Sequence, residues 1–409
     1  MPPGFHALIA AQFTSALADN ALLIVTIALL LQQGLPGWWA PLLKFGFTLS
    51  YVFLAPWVGP LADAMPKARL MSWMNGVKVI GVATLLAGLH PVAAFVIVGF
   101  GAAAYAPAKY GLITELVDAD HLVAANGWVE VSVVCAALLG TVLGGLLVSP
   151  WLLGLPVVAT TSLQVAQLIG PQAGLLGVSL ALLFLVYALA ALLNLAVPDS
   201  GARYPASGIH PVTLTREFWR ANLALWRDRD GGLSLAVTTI FWGVGATLQF
   251  AVLRWAADVL KMPLDQSAYL QAAVAVGVVI GAAVAGRWVS LARAKHMMWA
   301  GVMLGLLIPV IGATTWLPLA LPLLVLVGIV GGLLVVPLNA LLQHRGFALL
   351  SAGRSIAVQG FNENASILVM LGVYAGLLAL DLPIVTLMGG FGLMIASVIL
   401  LLIWRERRR

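Results

Sequence analysis

The chain has 409 residues, of which 62% are hydrophobic and only 9% charged. A soluble domain carries about 25% charged residues, so a water-soluble globule is excluded and the surplus apolar surface must face lipid. The net charge of +6 does not point to nucleic acid, because the basic residues fall mostly in short loops between apolar runs, where they set membrane orientation.

A helix needs about 20 apolar residues to cross the hydrocarbon core. Twelve such stretches occur, at residues 7–32, 39–62, 70–88, 91–116, 122–149, 172–197, 233–259, 266–290, 296–314, 317–343, 353–379 and 383–404. The first is a span rather than a cleaved signal: MPPGFH lacks Lys and Arg, and the apolar run continues past Asp19 to Leu31. The single cysteine, Cys135, lies in the fifth stretch. It excludes an internal disulfide and a Cys/His metal cluster, and is expected to act as a small packing residue. Residues 150–171 are expected as a weakly apolar outer loop.

The longest gap on the basic side is 198–232, which divides the chain into six-helix halves at 1–197 and 233–409. Within it, TREFWRANLALWRDR places Phe218, Trp219, Leu225 and Trp226 on one helical stripe, with Arg216, Arg220 and Arg227 opposite. That pattern predicts a short amphipathic helix on the inner membrane surface. An even number of spans puts both termini on one side. That side carries sixteen basic residues, running from Lys67 and Arg69 through Arg203 to Arg409, against Lys44 and Lys261 on the other. The richer side is expected to be cytoplasmic. The halves also look related: KARLMSW at 67–73 resembles RAKHMMW at 293–299, and NGWVE at 126–130 resembles QGFNE at 359–363. The expected fold class is therefore an all-α polytopic membrane protein of twelve transmembrane helices in two parallel six-helix repeats, the architecture of the major facilitator superfamily.

GPLADAMPKAR at 59–69, between the second and third spans, resembles the loop signature of that superfamily. Gly59 would permit close helix approach, and Asp63 would cap a helix or pair with a base. Lys67 and Arg69 supply the basic residues, and the set speaks to gating rather than substrate. In the second half the matching position is Val289. A charge at membrane depth is costly and marks a pathway. Asp19 shares a face with Gln12 and Ser15, and Asn20 adjoins it. Glu363 shares a face with Ser355, Gln359 and Ser366, about 15 Å into its span. Glu130 is shallower, with Asn126 one turn before it. The bases within spans are Lys78, Lys109 in YAPAKYG, and Arg254. A site with both signs of charge suits a zwitterion, and Asp19 would meet its ammonium in a cavity between the halves.

AQFTSALADNALL, GAAAYAPAKYGLITEL, VVPLNALLQHRG and AVQGFNENA resemble the bacterial lysophospholipid transporter family, LplT, and the likeness runs through nearly the whole chain. It implies a flippase of the bacterial inner membrane, both termini cytoplasmic. Such a flippase brings lysophosphatidylethanolamine, and lysophosphatidylglycerol, to the inner leaflet, where an acyltransferase/acyl-carrier-protein synthetase partner reacylates them. The family pattern shares Asp19, Lys109, Glu115, Glu130 and Glu363. It has an arginine on the seventh span where this chain has Gln249, and the nearest base is Arg254, roughly 140° around the helix. No cofactor is expected. The alternative is a proton-coupled exporter of drugs or sugars with Asp19 or Glu363 as proton carrier. An enzyme is not expected: acyl transfer wants a His beside an acid, and the six His lie at span ends or in loops, none in an H-x4-D arrangement.

Overall fold

A computed structural model describes residues 3–35, 39–169, 171–202, 204, 210–262, 264–378, 380 and 382–408. Arg203 and Arg409, counted above among the bases of one side, lie outside the described residues. Among the described residues no strand occurs. The helices in chain order are α1 (Pro3–Gln32), α2 (Trp39–Ala64), α3 (Lys67–Leu86), α4 (Pro91–Leu116), α5 (Leu122–Leu147), α6 (Pro150–Leu153), α7 (Pro156–Ile169), α8 (Gly177–Leu193), α9 (Pro211–Arg227), α10 (Arg229–Asp258), α11 (Leu264–Trp288), α12 (Met298–Ala313), α13 (Leu317–Leu349), α14 (Ala352–Leu378) and α15 (Ile384–Arg407).

Among the described residues, eleven segments are long and apolar enough to cross a membrane. The twelfth long helix, α3, has 20 residues, about 30 Å at 1.5 Å per residue, which is the thickness of a bilayer core. Lys67, Arg69 and Lys78 lower its hydropathy, yet it packs against α4 and α8, and two of those three bases are buried. The chain is thus a multi-pass membrane protein. Its outward surface agrees: Phe53, Leu185 and Val369 are bare at 60%, 60% and 63% exposure, a state that lipid tolerates and water does not.

The segment 150–171, expected as a loop, is largely helical. Ser149 accepts a bond from Leu152 N at 3.2 Å, with Pro150 opening α6, and Pro156 opens α7. Ser and Pro at a helix start are start signals as much as loop signals. Before α8, Gly174 takes a φ of 50°, a left-handed value that suits glycine, and there the regular helix is interrupted.

The fold divides into two compact units. The first comprises Met1–Leu116, Cys135–Arg220 and Ser351–Gly360. Its core joins Leu22 and Leu29 of α1, Val82 of α3, Phe95 and Val98 of α4, Leu147 of α5 and Leu183 and Tyr187 of α8. Here α5 lies directly on α1: a Cβ at Gly140 would sit 2.9 Å from Asn20 Cβ, and one at Gly144 2.8 Å from Ala21 O. The GTVLG stretch therefore works as a small-residue contact of the kind that drives helix association in lipid.

The second unit comprises Val117–Val134, Ala221–Leu350 and Phe361–Arg409. Its core joins Trp255 of α10, Met298 and Ile308 of α12, Leu334 and Leu338 of α13 and Ile399 of α15. Here α11 and α13 meet through paired small-residue motifs, Gly277 with Gly281 and Gly328 with Gly332. A Cβ at Gly332 would fall 2.6 Å from Ala282 N, so the backbones touch.

Candidate functional site

In the first unit, α1 is apolar around most of its circumference but carries Gln12, Ser15 and Asp19 on one face. Each of the three meets a lysine. Lys109, from α4, donates to Gln12 Oε1 at 3.3 Å, and its ammonium lies 4.2 Å from the Tyr110 ring centroid. Lys78, from α3, donates to Ser15 Oγ at 3.0 Å and to Asp19 Oδ2 at 2.7 Å. Tyr187 of α8 donates to the other oxygen, Asp19 Oδ1, at 2.7 Å. The Ser15 hydroxyl passes on to Asn75 Oδ1 at 2.8 Å. The Lys78 ammonium also lies 5.3 Å from the Tyr105 ring and 5.9 Å from the Tyr187 ring.

The result is a primary ammonium held by a carboxylate, a hydroxyl and two aromatic faces. Lys78 is 2% exposed, whereas the Asp19 side chain is 17% exposed, so the acid is the more accessible partner of the pair. Asn20 does not join this network: its amide bonds back to Ala16 O at 2.8 Å, and its Cβ stands against α5. Sequence reasoning set Lys78 apart from the site. The signal for it was a lysine three residues after Asn75 in an apolar span, since a charge there needs an opposite one close by.

A second cluster links the ends of α2, α3 and α4 to the start of α14. Asp63 accepts from Ser351 Oγ at 2.5 Å and from Gly353 N at 2.9 Å, at the helix end that favours negative charge. Gly59 makes this approach possible, since a Cβ there would lie 2.9 Å from Arg354 Cα. Lys67 joins Asp63 at 3.6 Å and Glu115 at 2.6 Å. Glu115 is held from the segment after α8, by Ser200 Oγ at 2.5 Å and Tyr204 OH at 2.7 Å, and the Tyr204 ring lies over Lys67. Burial first, then its bond to Glu115, hold the Tyr204 phenol above its ordinary pKa. Arg69 is exposed. No local sequence signal marked Ser200, Tyr204 or Ser351 as partners here, because all three reach the cluster from distant parts of the chain.

In the second unit, Asn126 and Gln343 exchange both amide bonds, at 2.8 and 2.9 Å, and both are buried. Glu130, one turn on from Asn126, is 6% exposed. Near the other end of α10, Arg254 pairs with Asp258 at 3.1 Å, both well exposed. Gln249 bonds instead to Gln271 of α11 at 3.1 Å. On α14 the expected polar face divides between the units: Ser355 and Gln359 are buried in the first, and Glu363 is half-buried in the second. Asp228 caps α10 at Gly231 N, 2.9 Å, and takes the Arg345 guanidinium at 2.6 and 3.2 Å. The Arg345 bond holds its carboxyl below the ordinary range, against its partial burial. Among the described residues, no group of three His, Cys, Asp or Glu side chains could hold a metal ion.

Residues 8–358 match the family model of the Major Facilitator Superfamily. The chain is 40% identical over 367 residues to the lysophospholipid transporter LplT of Yersinia enterocolitica, covering 90% of this chain and 85% of that protein. It is 39% identical over 407 residues to the protein of that name from Citrobacter koseri, covering 99% and 96%. Among solved structures it resembles that of a Major Facilitator Superfamily transporter, FucP, in the outward conformation, with a TM-score of 0.70, 15% identity and 98% of each chain covered. At that identity the likeness shows the fold.

Proposed function

The chain belongs to the Major Facilitator Superfamily and, within it, to the lysophospholipid transporter family, and from that premise we propose that it carries lysophospholipids across a bacterial inner membrane. The substrates are lysophosphatidylethanolamine and lysophosphatidylglycerol, taken from the outer to the cytoplasmic leaflet by alternating access of the two six-helix halves, 1–197 and 233–409, about the linker 198–232. Both termini are cytoplasmic. The protein is a carrier rather than an enzyme, and a separate acyltransferase/acyl-carrier-protein synthetase reacylates what it delivers.

The observation that carries the head-group assignment is the ammonium of Lys78 seated between Asp19, Ser15 and the rings of Tyr105 and Tyr187. Ethanolamine offers the same primary ammonium, and the partly exposed Asp19 is where it would take over from Lys78. Cation–π contact adds to such a site when it is shielded from water. Lys109 and Gln359 in the first unit, and Arg254 and Glu363 in the second, are assigned to further polar contacts with the substrate. Gly59, Asp63, Lys67, Arg69, Glu115 and Glu130 are assigned to gating and bracing.

The test is equilibrium binding of both lysolipids to the purified chain in lipid nanodiscs. The paired change Asp19→Asn with Lys78→Met leaves no unpaired charge. It should weaken lysophosphatidylethanolamine binding about tenfold or more, the loss of one charge-assisted bond, and weaken lysophosphatidylglycerol much less. Equal losses for the two lipids would remove the ammonium from the account.

A further inference from the structure

Helix α9 has two apolar faces, and only one is covered. Phe218, Ala221 and Leu225 are buried at 6%, 8% and 0% exposure, while Val212, Trp219, Leu223 and Trp226 stand open at 69%, 51%, 48% and 39%. The expected single stripe therefore splits: Phe218 and Leu225 turn into the protein and the two tryptophans do not. At 100° per residue the four open side chains share an arc of about 60°, and Arg216, Arg227 and Arg220 follow within the next 60° or so, all exposed. The single acid of the helix, Glu217, lies on the far flank and is taken by Arg354 at 2.9 Å. The open flank is thus apolar along one edge and purely positive along the next.

We propose that this flank of α9 lies in the head-group region of the membrane leaflet and binds anionic phospholipid. The four apolar side chains enter the acyl boundary, and the three arginines take lipid phosphates. Three observations favour lipid over a protein partner. One residue, Asp228, separates α9 from α10, a membrane span, so the flank starts at the edge of a bilayer. Trp226 donates its indole N–H to Asn362 Oδ1 at 3.1 Å, which leaves its hydrocarbon edge outward, and tryptophan is characteristic of that interface. The apolar arc is about one side chain wide per turn, which suits shallow insertion better than the broad buried centre of a stable protein interface.

The experiment uses the full chain, with Cys135→Ser, carrying an environment-sensitive fluorophore on Leu223→Cys, in nanodiscs of neutral lipid alone or with phosphatidylglycerol. No lysolipid is present, so the outcome is independent of transport. In the phosphatidylglycerol discs the probe should shift to the blue and be quenched by lipids brominated on the acyl chain. A probe on Ala224→Cys, about 100° around the helix from Leu223 and past the arginines, should stay quenchable from water. Each change of Arg216, Arg220 or Arg227 to Gln should lower the ratio of lipid-contacting to water-exposed probe by up to about fivefold, the worth of one base at an anionic surface. A Leu223 probe that is water-quenched in both kinds of disc overturns the proposal. So does protection from water that arises only when a soluble protein is added, which would make the flank a docking face for protein.

Discussion

Lys78 and Asp19 neutralise one another inside a largely apolar bundle, so neither charge can be removed alone without cost. Breaking a buried pair by deleting one partner costs about 3–5 kcal/mol, because it strands the other charge. Asp19→Asn should therefore lower thermal stability as well as transport, and adding Lys78→Met should restore most of the stability without restoring lysophosphatidylethanolamine transport. Melting curves and flux on the same preparations separate the two effects; a double variant as unstable as the single one would mean that the pair is not what Asp19 supports. A second residue carries a pH dependence. The folded pKa of Asp228 is depressed by Arg345, so its contribution is present above the ordinary carboxylate pKa and fades as pH falls through the lower folded value. Wild type and Asp228→Asn should differ in melting temperature at neutral pH, with a gap that starts to narrow below about pH 4 and closes only below the lower folded value, whereas a constant gap down to acid pH would assign the effect to shape rather than charge. The sequence made Asp19 visible, since a carboxylate in an apolar run stands out. It did not show that Lys78, 59 residues away, holds it, because pairing between spans depends on helix rotation that composition does not record.

The contact of α11 with α13 in the second unit rests on glycine, as expected where lipid competes equally for large apolar side chains. Gly332→Ala would put a methyl 2.6 Å from Ala282 N and 2.7 Å from Val278 O. It should separate α11 from α13 and reduce stability by about 1–3 kcal/mol, the usual cost of overpacking. Gly372 on α14 has nothing within 4 Å of such a methyl, so Gly372→Ala should be neutral or slightly stabilising through helix propensity, by up to about 1 kcal/mol. Thermal unfolding in detergent compares them directly, and equal effects would refute the contact argument. Element boundaries were less legible than element identity. The apolar run of α13 fades at Gln343, but the helix continues through His344 and Arg345 to Leu349, since a helix end that leaves the bilayer needs no apolar sequence. Residues 156–169 read as loop because Thr160, Ser162 and Gln164 interrupt the run. In the helix the hydroxyl of Thr160 bonds back to Pro156 O and that of Ser162 takes the amide of Val178, so polar residues there are satisfied without leaving the helix.

For the whole molecule, twelve long helices among the described residues combine a bare apolar exterior with buried polar pairs, and the proposed carrier exchanges such a pair for the polar group of its substrate. Spans and family were legible because hydropathy and motif order are local properties of the chain. Like the Lys78–Asp19 pair, the clustering of Ser200 and Tyr204 with Glu115 and Lys67 and the division of α9 into covered and open faces arise only in the folded chain. The central claim is that this chain by itself moves a single-chain phospholipid between leaflets. The direct measurement is the rate at which labelled lysophosphatidylethanolamine becomes inaccessible to an external reagent in vesicles holding only this protein, with and without an imposed proton gradient. The account predicts movement well above that of protein-free vesicles and of vesicles with the Asp19→Asn, Lys78→Met protein, and a slower gain for the diacyl lipid. A rate equal to that of protein-free vesicles, with or without the gradient, would contradict it.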